Sequence, residues 1–453
     1  MRHPHAYRRL TILAMALALL APSVLALPSV PSTVPPTLRP LVVDLSDGVS
    51  DAEADHLIRM PGTSAADLVR AAAAQMGYRR LEAPALPALP AEAPLAAALA
   101  ALYEVGGTPY DPAELHKAVT TVDPRVQAPT ARLVLALAEA GRLQQAATAT
   151  LTLEDQWALV NGLHHDQWGP EWRAAADKVR VDLLAAGAVL LLETIEDAVP
   201  ELQAATAAGV WPPGGFVDPA GLIHLGTEGD DEYRSRRWLY LDPGGNDLYT
   251  DLCNSGGADP LSDILLDSRA PIPIGTVVDI GGNDSHLISP LSPRVFQGAG
   301  AGGVGVLWDH QGSDITSGGY AGSGFTGVGV VHDKEGTDRR ESASNGGGHG
   351  RRGIGILVDV SGNDSYLAGA TSLASAADRG RGILRDEEGD DFYEPRTTGS
   401  FGFTADFSPP ATSNATFADL GGGLDRYPTW SPAIKASNNN RWSDGRGGTG
   451  WDE

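Results

Sequence analysis

Leu241-Asp242-Pro243-Gly244-Gly245-Asn246-Asp247-Leu248-Tyr249 is the cleanest of eight variants of one phrase spelled between Gly226 and Tyr427. The other copies end at Asp231-Glu232-Tyr233, Asp284-Ser285-His286, Asp314-Ile315-Thr316, Asp338-Arg339-Arg340, Asp364-Ser365-Tyr366, Asp391-Phe392-Tyr393 and Asp425-Arg426-Tyr427. Self-similarity of this kind marks a stack of like units, none of which can bury an apolar face alone. The first aspartates of successive copies, Asp242, Asp279, Asp309, Asp333, Asp359, Asp386 and Asp419, are 37, 30, 24, 26, 27 and 33 residues apart. A unit of about 25 residues suits one coil of a β-solenoid, a parallel β-helix-like stack in which loops of variable length absorb insertions. A β-propeller of antiparallel hairpins is the alternative, although its blades usually take about forty residues.

Turn physics accounts for the phrase itself. Glycine supplies positive φ, and Asn and Asp bond their own backbone two residues on. The aromatic returns the chain to a packed face, so Tyr233, Tyr249, Tyr366, Tyr393 and Tyr427 are expected in a ladder of rings. Purely structural Asp/Asn turns are the reading the sequence favours. The sharper reading is calcium: two carboxylates five residues apart, as in Asp242 with Asp247, Asp279 with Asp284, Asp359 with Asp364 and Asp386 with Asp391, offer hard ligands beside backbone carbonyls. Like charges stacked coil on coil also repel unless screened or bridged.

Three copies carry an upstream half of the form GxGxxG, at residues 298–303, 322–327 and 348–353, each followed by an apolar run such as Val304-Gly305-Val306-Leu307. A dinucleotide site needs a strand before those glycines and a helix after them, the reverse of this order. Close backbone approach in stacked coils explains the glycines instead. No cofactor is assigned to them.

In Gly281-Gly282-Asn283-Asp284 and its equivalents the repeat weakly resembles the calcium-binding nonapeptide repeats of secreted bacterial RTX proteins, from which it departs in lacking nine-residue tandem spacing. About half the chain resembles uncharacterised exported bacterial proteins with GxGVLxDxxGNDxY units, here residues 303–316 and 353–366. That resemblance implies export and a repeat architecture and brings no activity with it.

At 453 residues the chain is too long for one ordinary domain, and its composition turns from Ala/Leu-rich to Gly/Asp-rich near residue 210. The fold class expected is therefore α+β multidomain: an α-helical domain over residues 41–210, then the β-repeat domain over 211–427 and a C-terminal cap or tail over 428–453. A net charge of -24 argues against nucleic acid or an anionic membrane as a partner. Residues 1–26 read as a signal peptide, with Arg2, Arg8 and Arg9 before an apolar run and Val24-Leu25-Ala26 at a cleavage site. Residues 27–40 are a Pro-rich linker. The mature chain is then periplasmic, on the cell surface or extracellular, with no integral membrane segment once the leader is removed. Cys253 is the only cysteine, so no disulfide is available.

In the helical part, Asp111 with Pro112 and Glu114, Ser64 with Asp67, and Thr152 with Asp155 are start signals, while Gly77 and Gly141 follow helical runs that they are expected to end. Residues 181–192, nearly all apolar, predict a helix inside a bundle. His164 and His165 beside Asp166 could suggest a metal, but adjacent helical residues point about 100° apart. His286, His310, His332 and His349 fall in different registers of the repeat. No nucleophile elbow, HExxH or Walker loop is present, and no catalytic residue is assigned. Trp430, Trp442 and Trp451 in the tail read as a cap or as sugar-binding rings. The functional expectation is an exported structural or adhesive repeat protein of the cell envelope, calcium a candidate stabiliser and a surface glycan or envelope protein the partner. The alternative is a β-helical carbohydrate-active enzyme whose carboxylates converge in a groove.

Overall fold

The computed structural model describes residues 51–78, 81, 83–165, 168–250, 256–257, 274–287, 297–342, 344–396, 400–405, 413–421, 423–427, 440–443 and 447–452. The leader, the Pro-rich linker, Cys253, Trp430 and the side chains of His164 and His165 lie outside the described residues.

Eight helices come first among these residues: α1 Asp51–Arg59, α2 Ala65–Gln75, α3 Pro94–Gly106, α4 Pro112–Val119, α5 Pro124–Thr148, α6 Leu153–His165, α7 Pro170–Ala176 and α8 Val181–Ala207. The start signals do what their chemistry allows. Ser64 accepts from the Asp67 N–H at 3.1 Å, and Asp111 from the Ala113 N–H at 2.8 Å. Thr152 and Asp155 exchange reciprocal bonds ahead of α6. Gly77, at φ +89°, lies just beyond the last turn of α2. Gly141 corrects the expectation, because it lies inside α5. A Cβ there would sit 2.9 Å from the Trp238 ring and the Val105 side chain, so packing against the β part, not termination, requires glycine. Residues 181–192 open the buried face of α8, as the apolar run predicts, and among the described residues no helix is long and apolar enough to cross a membrane.

After Trp211 the chain becomes short strands in three sheets of eleven, seven and five strands. Pairing is parallel between successive repeats, and the only antiparallel pairs among the described strands lie at the two ends of the long sheet. Among the described residues, the hairpin blades of a propeller are therefore not formed, and no sheet closes. The long sheet takes one six-residue strand per central repeat: Ile274–Asp279, Val304–Asp309, Val328–Asp333, Ile354–Asp359, Arg381–Asp386 and Asn414–Asp419. Their registers align end to end, so that Asp242, Asp279, Asp309, Asp333, Asp359, Asp386 and Asp419 form one row.

These strands are buried on both faces, which is why they read as unbroken apolar runs instead of alternating ones. One face, with Val304, Val306, Val328, Val330, Ile354 and Ile356, shares a continuous core with α2, α5 and α8. The other, with Leu307, Val331, Leu357 and Leu384, packs against the tyrosines of the seven-stranded sheet. Polar contacts tie the connection between α1 and α2 to the long sheet as well: Arg385 donates to the Met60 and Thr63 carbonyls, and the Gly62 N–H donates to Glu387 at 2.9 Å.

The upstream glycine halves, read as close-approach segments, form the five-stranded sheet, including Gly300–Ala301, Gly324–Phe325 and Gly350–Arg351. Gly329 shows the constraint. An added Cβ would lie 2.2 Å from the Ser323 carbonyl oxygen, so this strand and that sheet approach at backbone distance. At the far end, Arg441–Ser443 covers the edge of Gly448–Asp452, with Trp442 packed on Phe417 and the Arg59 guanidinium over the Trp451 ring.

Candidate metal centre

Each long strand ends at the first aspartate of the phrase, the turn follows, and the second aspartate opens the short strand of the seven-stranded sheet. Because both strands are in register from repeat to repeat, the two aspartates stack as two adjacent rows. The second row is a hydrogen-bonded ladder. The backbone N–H of Asp247 donates to Oδ1 of Asp284 at 2.5 Å, Asp284 to Asp314 at 2.5 Å, Asp314 to Asp338 at 2.6 Å, Asp338 to Asp364 at 2.6 Å and Asp364 to Asp391 at 2.6 Å. A parallel ladder runs along the exposed rim, where the Asn283 N–H donates to Asn246 Oδ1 at 3.1 Å and the Ser313 N–H to Asn283 Oδ1 at 2.9 Å. Structural Asp/Asn turns are thus part of the answer.

In Asp242, Asp279 and Asp338 both carboxylate oxygens are hydrogen-bonded, but in most of the column one oxygen is left over. Oδ2 of Asp247, Asp284, Asp314, Asp364 and Asp391 is buried with no hydrogen-bond partner, as is Oδ1 of Asp309, Asp333, Asp359 and Asp386. The side chains group in threes, each the first and second aspartate of one repeat plus the second aspartate of the repeat before: Asp231/Asp242/Asp247, Asp247/Asp279/Asp284, Asp284/Asp309/Asp314, Asp314/Asp333/Asp338 and Asp338/Asp359/Asp364. Within each group one oxygen per residue lies within 4.8 Å of the others, a spread that fits opposite ligands of a cation bound at about 2.4 Å. These clusters of buried aspartates could hold metal ions. Asp242, Asp247, Asp279, Asp284, Asp359 and Asp364 are brought together as the spacing suggests, and Asp386 and Asp391 continue the same two rows. Sequence reasoning did not single out Asp231, Asp309, Asp314, Asp333 and Asp338 as ligands, nor the sharing of one aspartate between neighbouring groups. Both are visible only once the register is known.

Burying so many carboxylates disfavours their charged forms. Burial, reinforced by Asp279 and Asp247, pushes Asp242 up to about 10. Burial likewise raises Asp284 and Asp364 to about 9 and Asp247, Asp314 and Asp391 to about 7. Near pH 7 the column must therefore hold protons or cations.

Tyrosines meet part of this demand. Their rings stack, Tyr233 on Tyr249 with centroids 4.7 Å apart, Tyr366 on Tyr393 at 4.9 Å and Tyr393 on Tyr427 at 5.1 Å, and the hydroxyls turn into the aspartate column. Tyr233 donates to Asp242, and Tyr249 to Asp279 at 2.6 Å. Tyr366 reaches both Asp359 and Asp386, at 2.9 and 2.8 Å, while Tyr393 reaches Asp386 at 3.0 Å. The ladder stops where the phrase has no tyrosine. Arg340 fills that position in its repeat, and its buried Nη2 lies 2.5 Å from Asp333, 2.9 Å from Asp338 and 3.0 Å from Asp359. A guanidinium thus sits where two successive aspartate groups meet.

The histidines fall in different rows, as the sequence indicates. His286 stacks on Tyr249, His332 on Trp308, and His349 bonds Ser375. Separately, a cavity of about 380 Å³ between the helices and the five-stranded sheet is lined by Trp168, Trp172, Trp238 and Phe325 with Gln144 and Thr326, and by no carboxylate among the described residues. Comparison with known proteins finds no family model, no curated protein and no solved structure that matches the chain.

Proposed function

We propose that this chain is an exported structural or adhesive repeat protein of the cell envelope, wound as a β-solenoid beneath its helices and held rigid by divalent cations, calcium the first candidate. The carrying observation is the double row of aspartates in register, grouped in threes, with an unpartnered buried oxygen on most of them and on all three members of the Asp284/Asp309/Asp314 group. Hard oxygen donors without nitrogen or sulfur among them suit calcium over a transition metal. The partial likeness of Gly281-Gly282-Asn283-Asp284 to RTX turns, and the leader expected over residues 1–26, favour an exported chain, where free calcium is plentiful.

A polysaccharide-cleaving enzyme is the lesser reading. The column aspartates are almost wholly buried, out of reach of a chain of sugars, and the aromatic cavity has no acid/base pair in its lining among the described residues. The test is to express the full chain with a C-terminal tag, fractionate the cells, and melt the purified protein at pH 8 in chelator and in millimolar calcium. Recovery outside the cytoplasm and a melting temperature that rises with calcium support the proposal. Cytoplasmic retention, or a melting point indifferent to divalent cations, would remove it.

A further inference from the structure

The column is not uniform, and its one break in pattern is at Asp309. Asp242 and Asp279 each receive one tyrosine hydroxyl, Asp386 two, Asp359 a hydroxyl and a guanidinium, Asp333 the guanidinium, and Asp419 the hydroxyl of Tyr427 at 3.3 Å. Asp309 receives neither. The side chains that would supply a hydroxyl, from the preceding repeat and its own, are His286 and Thr316, both too short to place a phenol oxygen there. The ring of His286 nonetheless holds its place in the stack, 4.7 Å from Tyr249 and within 8° of parallel. It is 2% exposed, with Gln297 the side-chain polar group beside it.

Asp309 Oδ1 and Oδ2 of both Asp284 and Asp314 are unpartnered. One rung further on, where Arg340 enters, the equivalent groups already hold a positive charge between three carboxylates. The protein itself thus shows what such a group accepts. Oxygens within 4.8 Å of one another at Asp284, Asp309 and Asp314 leave a place of the same kind without that internal cation.

We infer that Asp284, Asp309 and Asp314 form the tightest divalent-cation site of the column, a calcium-class site, and that Arg340 acts as a permanent internal cation where the next one would bind. This rests on the reading that the column takes up divalent cations, and it adds where, and why there. Groups whose aspartates already accept a phenol or guanidinium hold a cation more weakly, because the incoming ion must displace a satisfied hydrogen bond.

Calcium titration of the chelator-treated full chain by calorimetry tests it, with Asp309→Asn, Asp386→Asn and His286→Tyr beside the parent. The parent is expected to show one site tighter than the rest. Asp309→Asn should weaken that site by about tenfold or more, as loss of one charged ligand does, and Asp386→Asn should leave it within about threefold. His286→Tyr extends the ring stack and delivers a hydroxyl to Asp309, so it should weaken the tight site while melting in chelator no lower than the parent. That variant separates loss of binding from loss of folding. Equal weakening by Asp309→Asn and Asp386→Asn, or an unchanged tight site in Asp309→Asn, overturns the assignment while leaving a cation-binding column intact. No calcium uptake by the parent at all overturns both.

Discussion

The outer rungs of the aspartate column and its middle rungs solve one electrostatic problem by different means. At the outer rungs, Tyr233 and Tyr249 on one side and Tyr366, Tyr393 and Tyr427 on the other lay stacked rings along the column and donate hydroxyls to its aspartates. In the middle the same register position holds His286, Thr316 and Arg340. A hydroxyl hydrogen bond satisfies an oxygen but carries no charge. A guanidinium neutralises, and an open group neutralises only when an ion or proton arrives. The backbone is the same at every rung, so one side chain per repeat sets how each group of carboxylates is balanced.

Arg340→Met strikes this comparison hardest, because it leaves Asp333, Asp338 and Asp359 buried without their cation. Breaking a buried ion pair costs about 3–5 kcal/mol, so denaturant unfolding at pH 8 should register a loss of that size. Calcium should restore part of it, and the loss should shrink at pH 6, where the carboxylates take up protons more readily. An unchanged midpoint would mean that the guanidinium is not what balances the middle rungs.

Titration comes next. Burial raises the folded-state pKa of these aspartates above the unfolded value of about 3.9, so the folded chain binds the extra protons and its stability falls as pH rises through the folded values. Those run from about 6 at Asp333 through about 8 at Asp419 to about 10 at Asp242. In chelator the melting temperature should therefore drop between pH 6 and pH 9, by on the order of 3–5 °C if the lost stability is a few kcal/mol. Calcium should flatten the slope by stabilising the charged forms. A melting temperature that climbs with pH in chelator contradicts the burial of the column.

Smaller effects sharpen the contrast between outer and middle rungs. Tyr366→Phe keeps the stacked ring and removes the hydroxyl shared by Asp359 and Asp386, for an expected loss of about 1–3 kcal/mol. Asn283→Ala, on the exposed rim ladder, should cost about 0.5–1 kcal/mol, since water replaces the lost partner. Equal losses from the two would show that the rim and the buried column share their load.

Much of this was legible in the residues. The recurring Asp and Tyr positions predict aligned rows, and those rows are present because each repeat contributes equivalent strands that pair in parallel. Gly141 misled, since a glycine after an apolar helical run looks the same whether it ends the helix or admits Trp238 against it. Pairing Asp242 with Asp247 found two ligands of each group, but the third, Asp231 in that case, comes from the preceding repeat and is fixed only by register. Arg340 carried its signal openly, as a cation in a tyrosine position, yet its role requires knowing that the position faces the aspartates. His286 and Thr316 likewise announce the gap at Asp309 only in a reader who knows what a tyrosine would have done there.

Crystals grown in calcium, with anomalous scattering recorded at long wavelength, test the central claim most directly. Peaks should lie in a line between successive aspartate groups, strongest among Asp284, Asp309 and Asp314, with none beside the Arg340 guanidinium. Aspartate rows out of register, or a column with no ordered calcium, would contradict it.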